Sequence, residues 1–226
     1  MHPEYLTKIS SMDLLSTISG SAQDFKLVID YLPIYFPQFT RFHNIMLGIS
    51  LGGHTAYRLA ALSPSQIKGY AIVVGCPSLG SLLLNRLGID ATALGSTTAE
   101  LGNVDYDRLE KVMDEEQKRR WPRSLSTLIR EGDREVHDNF PADTPLLLCN
   151  GKQDPLVPSF YTVSWLESRR ENVLAQGEEK KMKLFVQDNT GHSCTKEMVA
   201  MISAWIGSIL EPLSTGNTLL RPESHL

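Results

Sequence analysis

A chain of 226 residues, 42% of them hydrophobic, is sized for one domain with a sizeable core, and its net charge of −4 gives no general attraction to nucleic acid or anionic lipid. No run approaches the roughly 18 apolar residues of a membrane span, and the start MHPEYLTKISSMDLL lacks the charged-then-apolar layout of a secretion signal, so the expected location is the cytoplasm. Cys76, Cys149 and Cys194 are widely spaced with no CxxC pair, which argues against a disulfide framework and a zinc site.

Taken in chain order, "AQDFKLVIDYLP" places Phe25, Val28, Ile29 and Leu32 at i, i+3, i+4 and i+7, which predicts an amphipathic helix stopped by Pro33. His43 to Leu47 is the first predicted strand, and a helix follows from about Leu51 to Leu62. "YAIVVGC" (70–76) is a continuous apolar, β-branched run of the kind buried on both faces of a sheet, and "TPLLLCNG" (144–151) and "KMKLFVQ" (181–187) are two more strands. A helix around Phe160 to Leu174 separates the last two, and a final helix carries Met198, Met201, Ile202, Trp205, Ile206 and Ile209 on one stripe. Strands alternating with helices predict an α/β fold with a doubly wound, mostly parallel sheet.

The stretch from Pro77 to Ala142 has helical patterns such as "SLLLNRL" and "YDRLEKVMDEEQKRRW" but no strand signal, and it is too long for a simple connection. It is read as a helical cap inserted into a single domain spanning 1–226, with "DEEQKRR" as a solvated helix face and 212–226 as a disordered tail.

Gly48-Ile49-Ser50-Leu51-Gly52 stands where the first strand gives way to a helix. It fits the Gly-x-Ser-x-Gly nucleophile elbow, in which a strained turn lifts a serine hydroxyl above the sheet and flanking glycines, here Gly48 and Gly52, let strand and helix approach. The helix N-terminus favours developing negative charge, with the Leu51 N–H facing an oxyanion. A serine hydroxyl is a poor nucleophile near neutral pH and needs a histidine to take its proton and a carboxylate to orient that histidine. Asp154, in "GKQDPLVP", and His192, in "DNTGHSC", each follow a predicted buried strand directly, which gives the order Ser50, Asp154, His192 at the carboxyl ends of strands. His54 is read as packing beneath the turn, Asp188 as a turn residue rather than a rival acid, Asp133 and His137 as cap-side residues, and Trp121 as packing rather than lining an acyl pocket. No glycine-rich phosphate loop and no metal-ligand spacing occurs, so neither cofactor nor metal is expected.

Through "GISLGGH", "GKQDPLVP" and "TGHS" the chain resembles the α/β-hydrolase superfamily over about residues 12 to 210, most of all an intracellular fungal branch. The resemblance implies acyl chemistry: attack by Ser50, proton transfer by His192, orientation by Asp154. The chain departs from the family in that the residues ahead of the first strand contain neither the usual earlier strands nor the His-Gly type motif that supplies a second oxyanion N–H. It is therefore expected to start mid-fold, with a bare sheet edge that invites a homodimer or another partner and with weakened turnover. Three functions follow: hydrolysis of an ester or thioester of a small, moderately apolar substrate; a non-catalytic binding protein of hydrolase-like fold; or a lyase or cyclase of secondary metabolism on the same fold.

Overall fold

The computed structural model describes residues 10–174 and 181–210. Among them, four parallel strands, β1 (Ile45–Ile49), β2 (Gly69–Val73), β3 (Leu146–Gly151) and β4 (Met182–Gln187), lie side by side in sequence order. Helices α1 (Ser11–Tyr35), α2 (Leu51–Leu62), α3 (Leu79–Arg86), α4 (Tyr106–Val112), α5 (Glu115–Arg120), α6 (Arg123–Asn139), α7 (Phe160–Leu174) and α8 (Lys196–Leu210) complete the described structure, with two short 3-10 turns at Thr92–Leu94 and Thr98–Asn103. Because spatial order equals chain order, successive right-handed crossovers place their helices on one face. There Ala56, Tyr57 and Ala60 of α2, Val136 of α6 and Trp165 of α7 close on Tyr70, Ile72, Leu146 and Leu148. α8 covers the opposite face, with Met198, Ile202 and Trp205 against Ala71, Val73, Leu147 and Cys149. β2 and β3 are buried along their whole length, which is why their sequences are apolar without alternation.

The predicted strands and the helices α2 and α7 fall where expected, apart from β1, which runs two residues later than predicted. Between β2 and β3 the chain is helical throughout its regular structure, with its own core around Leu84, Leu101, Leu109, Trp121 and Ile129. α5 buries no residue, as "DEEQKRR" implied, and Asp114 and Gln117 cap it reciprocally. Arg58 of α2 ties this segment to the sheet through a 2.8 Å ion pair with Asp133 of α6, whose carboxylate also accepts from the N–H groups of Leu79 (3.2 Å) and Gly80 (2.7 Å) at the start of α3. The predicted 212–226 tail lies outside the described residues.

Three expectations are corrected. Pro33 sits inside α1 rather than ending it, and the predicted core face holds only in part: Ile29 packs against the core and Leu32 is half-buried, but Phe25 and Val28 are exposed, and the fully buried positions are Ile18 and Ala22. α1 is apolar on more than one side, and the side chosen is the one that meets α2, carrying Ala22 and Ile29 against the core. The glycines of the turn also divide their work differently. A Cβ on Gly48 would overlap the carbonyl of Gly52, whereas a Cβ on Gly52 meets nothing. The second tight position is Gly53, whose Cβ would lie 3.0 Å from the Cα of Gly75 beyond β2.

Gly48→Ala is therefore expected to cost at least about 2 kcal/mol, since the obstructing atoms are backbone that cannot step aside, while Gly52→Ala holds or slightly raises stability. Urea denaturation of the two variants checks this, and equal midpoints would contradict the assigned contacts.

Candidate active site

Ser50 joins β1 to α2 with φ 53 and ψ −113, a region non-glycine residues seldom occupy. The turn is fixed from three directions. The Ser50 N–H donates to the Val73 carbonyl of β2 (2.9 Å), the Ser50 carbonyl accepts from Gly53 (2.8 Å) and His54 (3.2 Å), and the Gly48 backbone lies against Gly52. The side chain is thereby lifted off the sheet and left half-buried, at the start of a helix whose first N–H groups, on Leu51 and Gly52, have no protein acceptor among the described residues.

Asp154 follows β3. Its side chain is closed off from solvent, and one oxygen, Oδ1, accepts from the N–H groups of Leu156 (2.8 Å) and Val157 (3.0 Å). Those bonds fix the carboxylate so that Oδ2 faces His192 Nδ1 at 2.8 Å, and Nε2 of the same ring stands 2.7 Å from Ser50 Oγ. A carboxylate accepts only, so Nδ1 carries the proton, Nε2 presents a lone pair, and the serine hydroxyl donates to it. The structure thus brings together Ser50, His192 and Asp154, from the ends of β1, β4 and β3.

The loops bearing the acid and the histidine are joined by backbone. Lys152 N–H donates to Gln187 (2.9 Å), Gln153 N–H donates to Thr190 (2.9 Å), and a Cβ on Gly151 would overlap the carbonyls of Thr190 and Gly191. Gly151 is a site residue the sequence reading passed over, although it stands in the same "NGKQD" as Asp154. Asn189, at φ 54, turns the chain back toward His192.

The remaining candidates take other places. Asp188 faces solvent in an ion pair with Lys152 (2.7 Å) and makes no bond to His192. His137 is exposed beside Asp138, Asp133 belongs to the Arg58 pair, and Trp121 is buried in the core of the helical segment. A cleft of about 490 Å³ between that segment and α7 is lined by Ser78, Ser81, Arg130, Arg134, His137 and Trp165 among others, without Ser50 or His192. No group of three or more His, Cys, Asp or Glu side chains suited to a metal occurs among the described residues, and no described helix is long and apolar enough to cross a membrane.

No family model matches the chain, and no curated protein matches its sequence. Solved structures match its fold. Alpha/beta hydrolase domain-containing protein 10 from mouse aligns over 92% of this chain and 72% of its own, at 14% identity and a TM-score of 0.50. Est1E from Butyrivibrio proteoclasticus aligns over 91% and 72% at 18% identity and 0.49, and esterase PE8 over 90% and 66% at 13% identity and 0.48. The chain spans slightly less than two thirds of the length of that esterase. The parallel sheet, its flanking helices and the likeness to the mouse protein define the class: the chain has the α/β-hydrolase fold.

His54, one turn into α2, donates from Nδ1 to the Cys76 carbonyl at 2.9 Å, beneath the turn as expected. Burial, reinforced by the charges of Arg86 and Arg58, pulls its pKa down from 6.5 to about 4. In the unfolded chain the ring charges first as pH falls, so this group's stability is complete above about 6.5 and is lost progressively down to about 4. His54→Asn, which keeps an N–H donor and cannot titrate, is expected to lose about 2 kcal/mol less than the parent chain between pH 7 and pH 4.5, measured by urea denaturation at each pH. Parallel pH profiles would contradict a buried neutral imidazole.

Proposed function

We propose that the chain is a serine hydrolase that cleaves an ester or thioester of a small, moderately apolar molecule through an acyl-enzyme on Ser50. The observation that carries this reading is the unbroken hydrogen-bonded line Asp154 Oδ2, His192 Nδ1, His192 Nε2, Ser50 Oγ, at 2.8 and 2.7 Å. The helical segment between β2 and β3 acts as a cap over the approach. Unpaired thiols at Cys76, Cys149 and Cys194 support a cytoplasmic location.

In this reading Ser50 Oγ attacks the substrate carbonyl carbon as its proton passes to His192 Nε2. The resulting oxyanion faces the Leu51 N–H, and the start of α2 stabilises its charge. The tetrahedral species collapses with cleavage of the bond to the leaving alcohol or thiol, which takes the proton from His192. Water then attacks the acyl group, again giving its proton to His192, and the acid departs as Ser50 recovers its hydrogen. Asp154 stabilises the imidazolium in both halves and keeps its orientation. The exposed Leu51 side chain beside Ser50 favours an apolar acyl or alkyl group over a charged one.

Intact-mass measurement after incubation with a fluorophosphonate tests the reading. One adduct per chain is expected, absent from Ser50→Ala and from His192→Ala. Asp154→Asn, which leaves the imidazole in the wrong tautomer, is expected to lower turnover of a p-nitrophenyl ester by about 10³ to 10⁴. No adduct on a folded chain would leave the binding-protein reading in its place.

A further inference from the structure

α3, the first helix of the segment between β2 and β3, ends on Arg86, whose guanidinium leaves its own helix: Nη2 donates to the Leu156 carbonyl, 70 positions further on, at 2.5 Å. The two stretches of chain are pressed together there. Leu82, one turn back on α3, is buried in one cluster with Cys76, Val157 and Tyr161, and the Tyr161 hydroxyl donates to the Ser81 carbonyl at 3.3 Å. A cation in the last turn of a helix is favourable to that helix by itself, but Arg86 makes no ion pair among the described residues, and its charge is directed at the loop that carries the acid.

The acceptor is half of the peptide that holds the acid. In Asp154-Pro155-Leu156-Val157-Pro158 the proline after the acid has no N–H, so the carboxylate takes the next two, on Leu156 (2.8 Å) and Val157 (3.0 Å). The Leu156 carbonyl and the Val157 N–H are the two polar ends of one planar trans peptide and point to opposite sides of it. Arg86 therefore stands on one side of this peptide and Asp154 Oδ1 on the other.

We propose that Arg86 is a positioning residue for Asp154: it fixes and polarises the Leu156–Val157 peptide, which in turn holds Oδ1 so that Oδ2 meets His192 Nδ1. A cation on the carbonyl draws electron density through the peptide and makes its N–H a stronger donor, as linked hydrogen bonds do generally. The need for strong donors is high, because the Asp154 side chain is closed off from solvent and a buried carboxylate without them is costly. Arg86 and the Asp154 carboxylate also attract each other directly. The hydrogen-bonded line thus begins one member earlier, in the helical segment: Arg86, the Leu156–Val157 peptide, Asp154, His192, Ser50. For its effect on turnover the inference rests on the serine-hydrolase reading; for the position of Asp154 against His192 it does not.

Arg86→Met, which keeps an unbranched apolar stem without the charge, and Arg86→Lys, which keeps a cation, test it. The carbonyl takes a bond from one nitrogen only, so an ammonium group can serve in place of the guanidinium. In Arg86→Met the rate of fluorophosphonate labelling and the kcat for a p-nitrophenyl ester are expected to fall about tenfold with KM held within about twofold, and Arg86→Lys to recover most of the loss. The proton NMR signal of His192 Nδ1–H, assigned by its absence from His192→Ala, is expected to move upfield in Arg86→Met and to return in Arg86→Lys. An unmoved signal, a loss confined to KM, or equal losses in the two variants would each overturn the proposal. A parent chain that takes up no fluorophosphonate would overturn the hydrolase reading instead, and the Nδ1–H signal, which needs no turnover, then decides the role of Arg86 alone.

Discussion

The contact between the backbone at Gly48 and the carbonyl of Gly52 sets the geometry on which the rest of the site depends. A strand that meets a helix this closely cannot relax the turn between them, so Ser50 is held at φ 53 with its hydroxyl above the sheet. The strain must be supported elsewhere, and the support is the fully buried β2, which takes the Ser50 N–H, and the close passage of Gly53 past Gly75. The described non-glycine residues with positive φ are Ser50, Val74 and Asn189, and they follow β1, β2 and β4 at the same end of the sheet. Strain is thus concentrated along the rim where the three polar side chains converge, as expected when surrounding structure over-determines a site.

A second constraint joins the helical segment to this rim. Asp133 is shared by Arg58 and by two N–H groups at the start of α3, and the space for the guanidinium exists because residue 132 is glycine: a Cβ there would overlap Arg58. Burial pushes the Asp133 carboxyl up to about 6, against the opposing pull of Arg58 and the two N–H groups. A raised acid binds its proton more tightly in the folded chain, so stability from this group grows as pH falls from about 6 toward 3.8, the reverse of His54 over nearly the same window. Breaking the pair from one side leaves a buried, unmatched charge, typically costing about 3–5 kcal/mol.

The parts legible in the sequence were those fixed by local chemistry. β2 and β3 are buried on both faces, so their apolar runs carry the strand signal without ambiguity. Ser50, Asp154 and His192 could be picked out because each directly follows a strand. α1 misled because periodicity names an apolar face but not the face that finds a partner, and Phe25 and Val28 lie on the one left outside. Gly52 was credited with a closeness that belongs to Gly53 because consecutive glycines look alike until the neighbouring backbone of Gly75 is in place. The Arg58–Asp133 pair and the meeting of Gly151 with Thr190 and Gly191 join residues 75 and about 40 positions apart, beyond the reach of any local pattern.

The two outer strands of the described sheet, β1 and β4, lead into Ser50 and His192 respectively. Ser50 follows a five-residue strand whose described ladder is with β2, and its own N–H continues that ladder to the Val73 carbonyl, so the turn depends on the register of β1 against β2. The acid and the histidine sit on β3 and on the other outer strand, β4, joined to each other by a six-residue ladder and by backbone bonds between their loops, so the hydrogen-bonded line closes only when both outer strands keep their register on β2 and β3.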